Sequence, residues 1–125
     1  MKTALLVALG GALGSVLRWL VSTLAQRATP GAAMPWGTLL VNVAGSCAIG
    51  ALLALADERG ALSPEARFFL VTGVLGGFTT FSAYSAETLA LMRAGHGGIA
   101  LFYASASVVL GVGAAYAGWL AVSRA

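Results

Sequence analysis

Four stretches of this chain are each apolar for about twenty residues, the length that crosses the hydrocarbon core of a bilayer as a helix. They run from about Ala4 to Leu24, Trp36 to Ala56, Ala66 to Met92 and Ile99 to Val122. Inside hydrocarbon the backbone amides and carbonyls must find partners within their own segment, so each stretch is read as a helix. Composition agrees: 59% of residues are hydrophobic and 9% charged, against roughly 25% charged in a soluble domain. The chain is expected to be an all-α integral membrane protein, a single four-helix domain over residues 1–125 with no room for a second one.

The third stretch does not read as an uninterrupted helix. Near its middle stands Gly76-Gly77-Phe78-Thr79-Thr80-Phe81-Ser82-Ala83-Tyr84. Glycine in a helix interior costs about 1 kcal/mol. Hydroxyl side chains offer the backbone partners outside the helical ladder. A break is therefore expected near Gly76–Thr80. Backbone freed at membrane depth is tolerated where it is buried in protein or lines a watery cavity, and such breaks form ion and substrate sites. The expected task is the handling of an ion.

The connections are short. Arg27, Pro30, Gly31 and Pro35 punctuate the first, and Asp57-Glu58-Arg59-Gly60 begins the second. Ser63-Pro64-Glu65 reads as a helix start, with Ser63 as N-cap and proline at the first helical position. The first stretch follows Lys2 but is longer than a signal-peptide core, so it is expected to be retained. With four crossings, Lys2, Arg59, Arg67 and Arg124 share one side and Arg27 and Arg93 the other. Four against two is a weak positive-inside bias, compatible with insertion both ways up. The net charge of +3 needs no nucleic acid to explain it. Cys47 is the only cysteine and His96 the only histidine. No nucleophile, base and orienter can be assembled from this chain, nor a metal-ligating side-chain cluster, so enzyme chemistry is not expected.

Polar residues inside spans are costly and mark function or helix contacts. Thr38, Asn42 and Ser46 lie four apart and form one stripe on the second helix. Asn42 has amide donors and a carbonyl acceptor; it serves either to bind a neighbouring helix or to meet an ion. In the fourth stretch Tyr103, Ser107, Gly111 and Ala115 repeat every four residues, which suits close packing as well as a hydroxyl track. Gly10 and Gly14 match a close-packing motif on the first helix. Arg18, on the same face, cannot face lipid cheaply and is expected to snorkel or to bond loop carbonyls. Beyond the break, Phe81 and Tyr84 share a face, and their ring edges carry partial positive charge. Glu87, about one turn on, would repel an anion unless it is near water, protonated, or bonded to Thr88 or an arginine.

Four stretches, in order, resemble the CrcB/Fluc family of bacterial fluoride channels over nearly the whole chain. They are Gly10-Gly11-Ala12-Leu13-Gly14-Ser15-Val16-Leu17-Arg18, then Pro35-Trp36-Gly37-Thr38-Leu39-Leu40-Val41-Asn42-Val43-Ala44-Gly45-Ser46, then Gly73 through Ser82, and finally Tyr103 through Gly111. The resemblance implies a dual-topology homodimer, two antiparallel subunits in the lipid bilayer of the bacterial inner membrane. It implies two fluoride pores that export fluoride passively, and a structural sodium ion on the dimer axis. By match, the sodium ligands are the backbone carbonyls of Gly76 and Thr79. The pore asparagine falls on Asn42, the two pore phenylalanines on Phe81 and Tyr84, and the polar track on Tyr103 and Ser107. Thr38, Ser46 and Thr80 complete the expected pore lining, with Arg18 and Gly14 as structural residues. Tyr84, Gly111 and Ala115 depart from the family pattern.

A fluoride path of this kind is physically coherent. Fluoride is small and strongly hydrated, so donors must replace its water, and several weak sites are needed for the ion to leave. Two other classes compete with it. A small multidrug exporter with four spans needs a membrane carboxylate in its first helix, and this first helix has none. A non-conducting or holin-like assembly would use the glycines for packing but leaves the hydroxyl and aromatic cluster without a purpose.

Overall fold

The computed structural model describes every residue, Met1–Ala125. Six α-helices follow one another: α1 (Lys2–Ala28), α2 (Trp36–Leu53), α3 (Pro64–Arg67), α4 (Gly76–Phe78), α5 (Phe81–Arg93) and α6 (Gly97–Ser123). A π-helical stretch, Ala54–Glu58, prolongs α2, and a second, Phe68–Leu75, joins α3 to α4. They make four rods long and apolar enough to cross a membrane, of 27, 23, 30 and 27 residues. The sequence segments fall inside these rods, which extend a few residues past the apolar edges.

The rod ends follow from local chemistry. At the end of α1 the Thr29 hydroxyl donates to the Ala25 carbonyl at 2.8 Å, and Pro30 cannot continue the ladder. Ser63 caps α3 as expected, its Oγ accepting from the Ala66 N–H at 3.2 Å, with Pro64 at the first helical position. Past α5, Gly95 takes a left-handed φ of 81°. The Gly95 and His96 amides then donate back to the Met92 and Leu91 carbonyls, the glycine-based closure of a helix C-terminus. Two ion pairs, Lys2–Glu65 and Arg67–Asp57, lie together near the start of the third rod. This agrees with the N-terminal end and the second connection sharing one side of the membrane.

Packing relies on glycines meeting backbone. A side chain at Gly14 would strike the Val74 carbonyl, and one at Gly77 the Gly11 carbonyl, so α1 lies directly on the π-helical stretch and α4. Gly50 meets the Ala115 carbonyl and Gly118 the Cys47 carbonyl, so α2 and α6 lie equally close. With no hydrophobic drive between helices in lipid, such close approach is what holds them. The eight-residue π-helical stretch has no signal in the sequence, which reads there as an ordinary span. Just 14 of 125 residues are buried within the chain. A single copy therefore presents most of its apolar side chains outward, as a bilayer permits. The small core joins α2, α5 and α6 through Leu39, Leu91, Ala100 and Tyr103, with Tyr84 packed against it.

Candidate functional site

The third rod leaves helical geometry at Thr79 and Thr80, whose backbones are extended (φ −81°, ψ 156° and φ −153°, ψ 120°). Thr79 still closes the helix before it: its N–H and its Oγ1 both donate to the Leu75 carbonyl at 2.9 Å. Thr80 does not. Its N–H, which would continue the ladder to Gly76, donates to Asn42 Oδ1 at 2.9 Å, and its carbonyl accepts from Asn42 Nδ2 at 3.1 Å. The Asn42 amide thus acts as a substitute peptide, satisfying both backbone groups of one residue. Thr80 Oγ1 accepts from the Ala83 N–H at 3.2 Å and so caps α5, while lying 3.2 Å from the Ser82 hydroxyl. Gly45 makes room for the Thr79 methyl against α2. No backbone N–H reaches the Thr79 carbonyl.

This region opens outward. Asn42, Ser46, Gly76, Thr79, Thr80 and Phe81 line a cavity of about 410 Å³. Gly76 is exposed and Phe81 is 80% exposed. Asn42 keeps one amide hydrogen beyond the one given to Thr80.

From Phe81 a file of rings leads inward. The Phe81 and Tyr84 centroids lie 5.4 Å apart, tilted by 37°, and those of Tyr84 and Tyr103 lie 5.4 Å apart, tilted by 47°. These separations are ordinary for attractive aromatic pairs. Tyr103 is fully buried. Its hydroxyl donates to Glu87 Oε2 at 2.7 Å, and the Thr38 hydroxyl donates to Glu87 Oε1 at 2.7 Å. One carboxylate therefore ties α2, α5 and α6 together through short, charge-assisted bonds. Ser107 gives its hydroxyl to the Tyr103 carbonyl at 2.6 Å within α6.

A second cavity, of about 660 Å³, lies beside α1 and the first connection. Ser15, Arg18, Ser22, Thr38, Thr80 and Glu87 are among its lining residues. Of the two outcomes expected of Arg18, snorkelling or bonding loop carbonyls, the carbonyl bonds are not formed. The ion pairs of the chain are Lys2–Glu65 and Arg67–Asp57, so the Arg18 guanidinium stands in this cavity without a carboxylate partner. Gly14 packs against Val74 and Phe78.

The sequence residues thus divide. Asn42, Ser46, Gly76, Thr79, Thr80 and Phe81 gather around one cavity, and Tyr84 and Tyr103 continue from it as rings. Ser107 is turned onto its own helix. Gly111 faces Ser46, where an added methyl would stand 3.5 Å from its Oγ. Thr88 bonds the Tyr84 carbonyl and not Glu87. Two features escape a reading of the sequence. One is the double bond of Asn42 to Thr80, which no spacing announces. The other is Glu87 as the acceptor shared by Thr38 and Tyr103. Its signal is present, a lone carboxylate one turn from the aromatic pair, but the partners on α2 and α6 require the fold. No three His, Cys, Asp or Glu side chains come together as a metal site.

Residues 5–119 match the family described as CrcB-like protein, Camphor Resistance (CrcB). Similar proteins include a fluoride-specific ion channel FluC of Thermus thermophilus, 56% identical over 119 residues, or 95% of this chain and 94% of that protein. The protein of that name from Rhizobium meliloti is 53% identical over 126 residues, covering 100% of this chain and 98% of its own. The one from Hyphomonas neptunium is 52% identical over 123 residues, covering 97% and 96%. With matched residues spanning all four rods and the region around Thr79 and Thr80, this chain belongs to the CrcB family.

Proposed function

We propose that this chain is a fluoride-selective channel through which fluoride leaves the cell passively across the bacterial inner membrane. The observation that carries the reading is the break at Thr79–Thr80. It sets the spare Asn42 amide hydrogen, the Ser46 hydroxyl and the exposed Phe81 edge around one cavity in a membrane-spanning chain. Relatives more than 50% identical are named fluoride-specific ion channels, which supports assigning the same cargo here. Neutral donors and ring edges offer fluoride partial replacement of its water without the deep trap of a buried cation.

The channel is an antiparallel homodimer with two pores. Each chain alone leaves Gly76 and Phe81 uncovered, and the weak four-to-two charge bias allows both orientations. The Gly76 and Thr79 carbonyls fit a sodium ion. The Thr80 N–H that would have engaged Gly76 is given to Asn42, and no backbone N–H reaches the Thr79 carbonyl. Oxygen donors of this kind suit a hard cation. Bound there, sodium would supply fixed positive charge beside an anion path.

Efflux from liposomes holding the purified protein tests the reading. Fluoride should leave rapidly and electrogenically, with chloride at background. Equal chloride passage, or no fluoride flux from folded protein, rejects it. Labelling of single cysteines engineered at the termini should succeed from both sides of the membrane; labelling from one side alone in active protein rejects the opposed dimer.

A further inference from the structure

Past Phe68, every serine and threonine hydroxyl of the third rod but one is bonded within the chain. Thr79, Ser85 and Thr88 donate to the Leu75, Phe81 and Tyr84 carbonyls. Thr80 and Ser82 pair with each other. Thr72 is the exception: its hydroxyl takes no partner, not even the carbonyl one turn back that a helical threonine commonly uses.

Thr72 is also turned outward. Between Phe68 and Thr80 the exposed residues are Phe68, Thr72 and Gly76. They lie four apart and so share one face of the rod. Gly76 on that face has no reason within the chain to be glycine. Its φ is −61°, and an added methyl would meet the Val71 carbonyl at an unstrained 3.9 Å. Gly10, Gly14, Gly73 and Gly77 nearby each press on backbone across from them. The bare face at Gly76 therefore answers to something outside the chain, and Thr72 sets a free hydroxyl on it.

We infer that Thr72 is a positioning residue for the sodium site at the break, its hydroxyl bonding across to a second copy of the chain and fixing how closely the two Gly76 carbonyls approach. The inference rests on the opposed, sodium-bridged dimer proposed above. An ion shared by two Gly76 carbonyls brings this face of one copy against the same face of the other. Thr72 stands about 6 Å along the rod from Gly76, four residues of helical rise, and falls inside that contact. Lipid offers its hydroxyl no partner, whereas a neighbouring helix does. Thr72 does not touch the ion; it acts through the spacing of the groups that do.

The test is thermal unfolding of wild type, Thr72→Val, Thr72→Ala and Thr72→Ser, purified without sodium and titrated with it at constant ionic strength. Thr72 is exposed in the single chain, so valine, of the same shape, keeps the fold, and alanine serves as a second variant without the hydroxyl. A cation bound by the folded dimer raises the melting temperature as its concentration rises. The sodium concentration giving half of that rise should be roughly three- to tenfold higher for Thr72→Val and Thr72→Ala, the loss of one hydrogen bond. Thr72→Ser should match wild type. An unchanged sodium midpoint in both variants overturns the inference, even if their melting temperatures fall, because a merely structural hydroxyl would lower stability at every sodium concentration alike. If wild type shows no sodium dependence, the sodium reading itself fails, and that outcome is read before the variants are compared.

Discussion

Helices α2 and α6 meet twice, in opposite ways. Toward the end of α2, Gly50 lies on the Ala115 carbonyl and Gly118 on the Cys47 carbonyl. The contact is backbone on backbone. Nearer the start of α2, the Thr38 and Tyr103 hydroxyls both donate to Glu87, which α5 brings to them. The first contact holds two helices by shape alone. The second leaves space for a third helix and satisfies its charge. Close packing and a polar path thus occupy different lengths of one helix pair, and the break beside Asn42 lies between them.

Three substitutions would break or sharpen this contrast. The largest effect is expected at the backbone contact. Gly118→Leu forces a branched side chain into the Cys47 carbonyl, at a cost of about 3 kcal/mol or more. Detergent-purified protein should be largely aggregated on gel filtration; a normal monodisperse peak would show that the two helices separate easily. At the break, Asn42→Ala leaves the Thr80 N–H and carbonyl without their partners, costing about 1–3 kcal/mol. A clear fall in thermal stability is expected. An unchanged melting temperature would mean that other groups replace the amide. At the polar contact, Glu87→Gln still accepts from one hydroxyl and donates to the other once that hydroxyl turns. It should cost about 1 kcal/mol, seen as a small shift in melting temperature. A loss as large as that of Asn42→Ala would show that the charge, not the bonding pattern, holds α5 in place.

The same contrast explains what the sequence disclosed. The four rods were legible because apolar length and the bilayer's thickness permit one solution. Ser63 was legible as a cap because its signal is local. The α6 pattern Tyr103, Ser107, Gly111, Ala115 was ambiguous, and the structure divides it. Tyr103 turns to Glu87, Ser107 to its own helix, Gly111 faces Ser46, and the Ala115 carbonyl meets Gly50. Four-residue spacing places side chains on one face; it does not say which neighbour that face meets. Asn42 stands out for its cost in a membrane, but its bond to the Thr80 backbone depends on how high α5 sits beside α2. Arg18, expected to snorkel or to bond loop carbonyls, makes no carbonyl bond and lines a cavity. The position of that cavity is set by the first connection, which carries no periodic signal.

Phe81 offers the most direct measurement of the central claim, because within one chain its ring is 80% exposed, so that its replacement should leave the fold of the single chain intact. Currents of wild type and Phe81→Ile are recorded across a bilayer with a fluoride gradient and symmetric chloride. A fluoride path along the ring edge predicts a wild-type current that reverses at the fluoride equilibrium potential. It also predicts a strongly reduced current for Phe81→Ile, with both proteins equally stable. A reversal potential set by chloride, or a Phe81→Ile current equal to wild type, would contradict it.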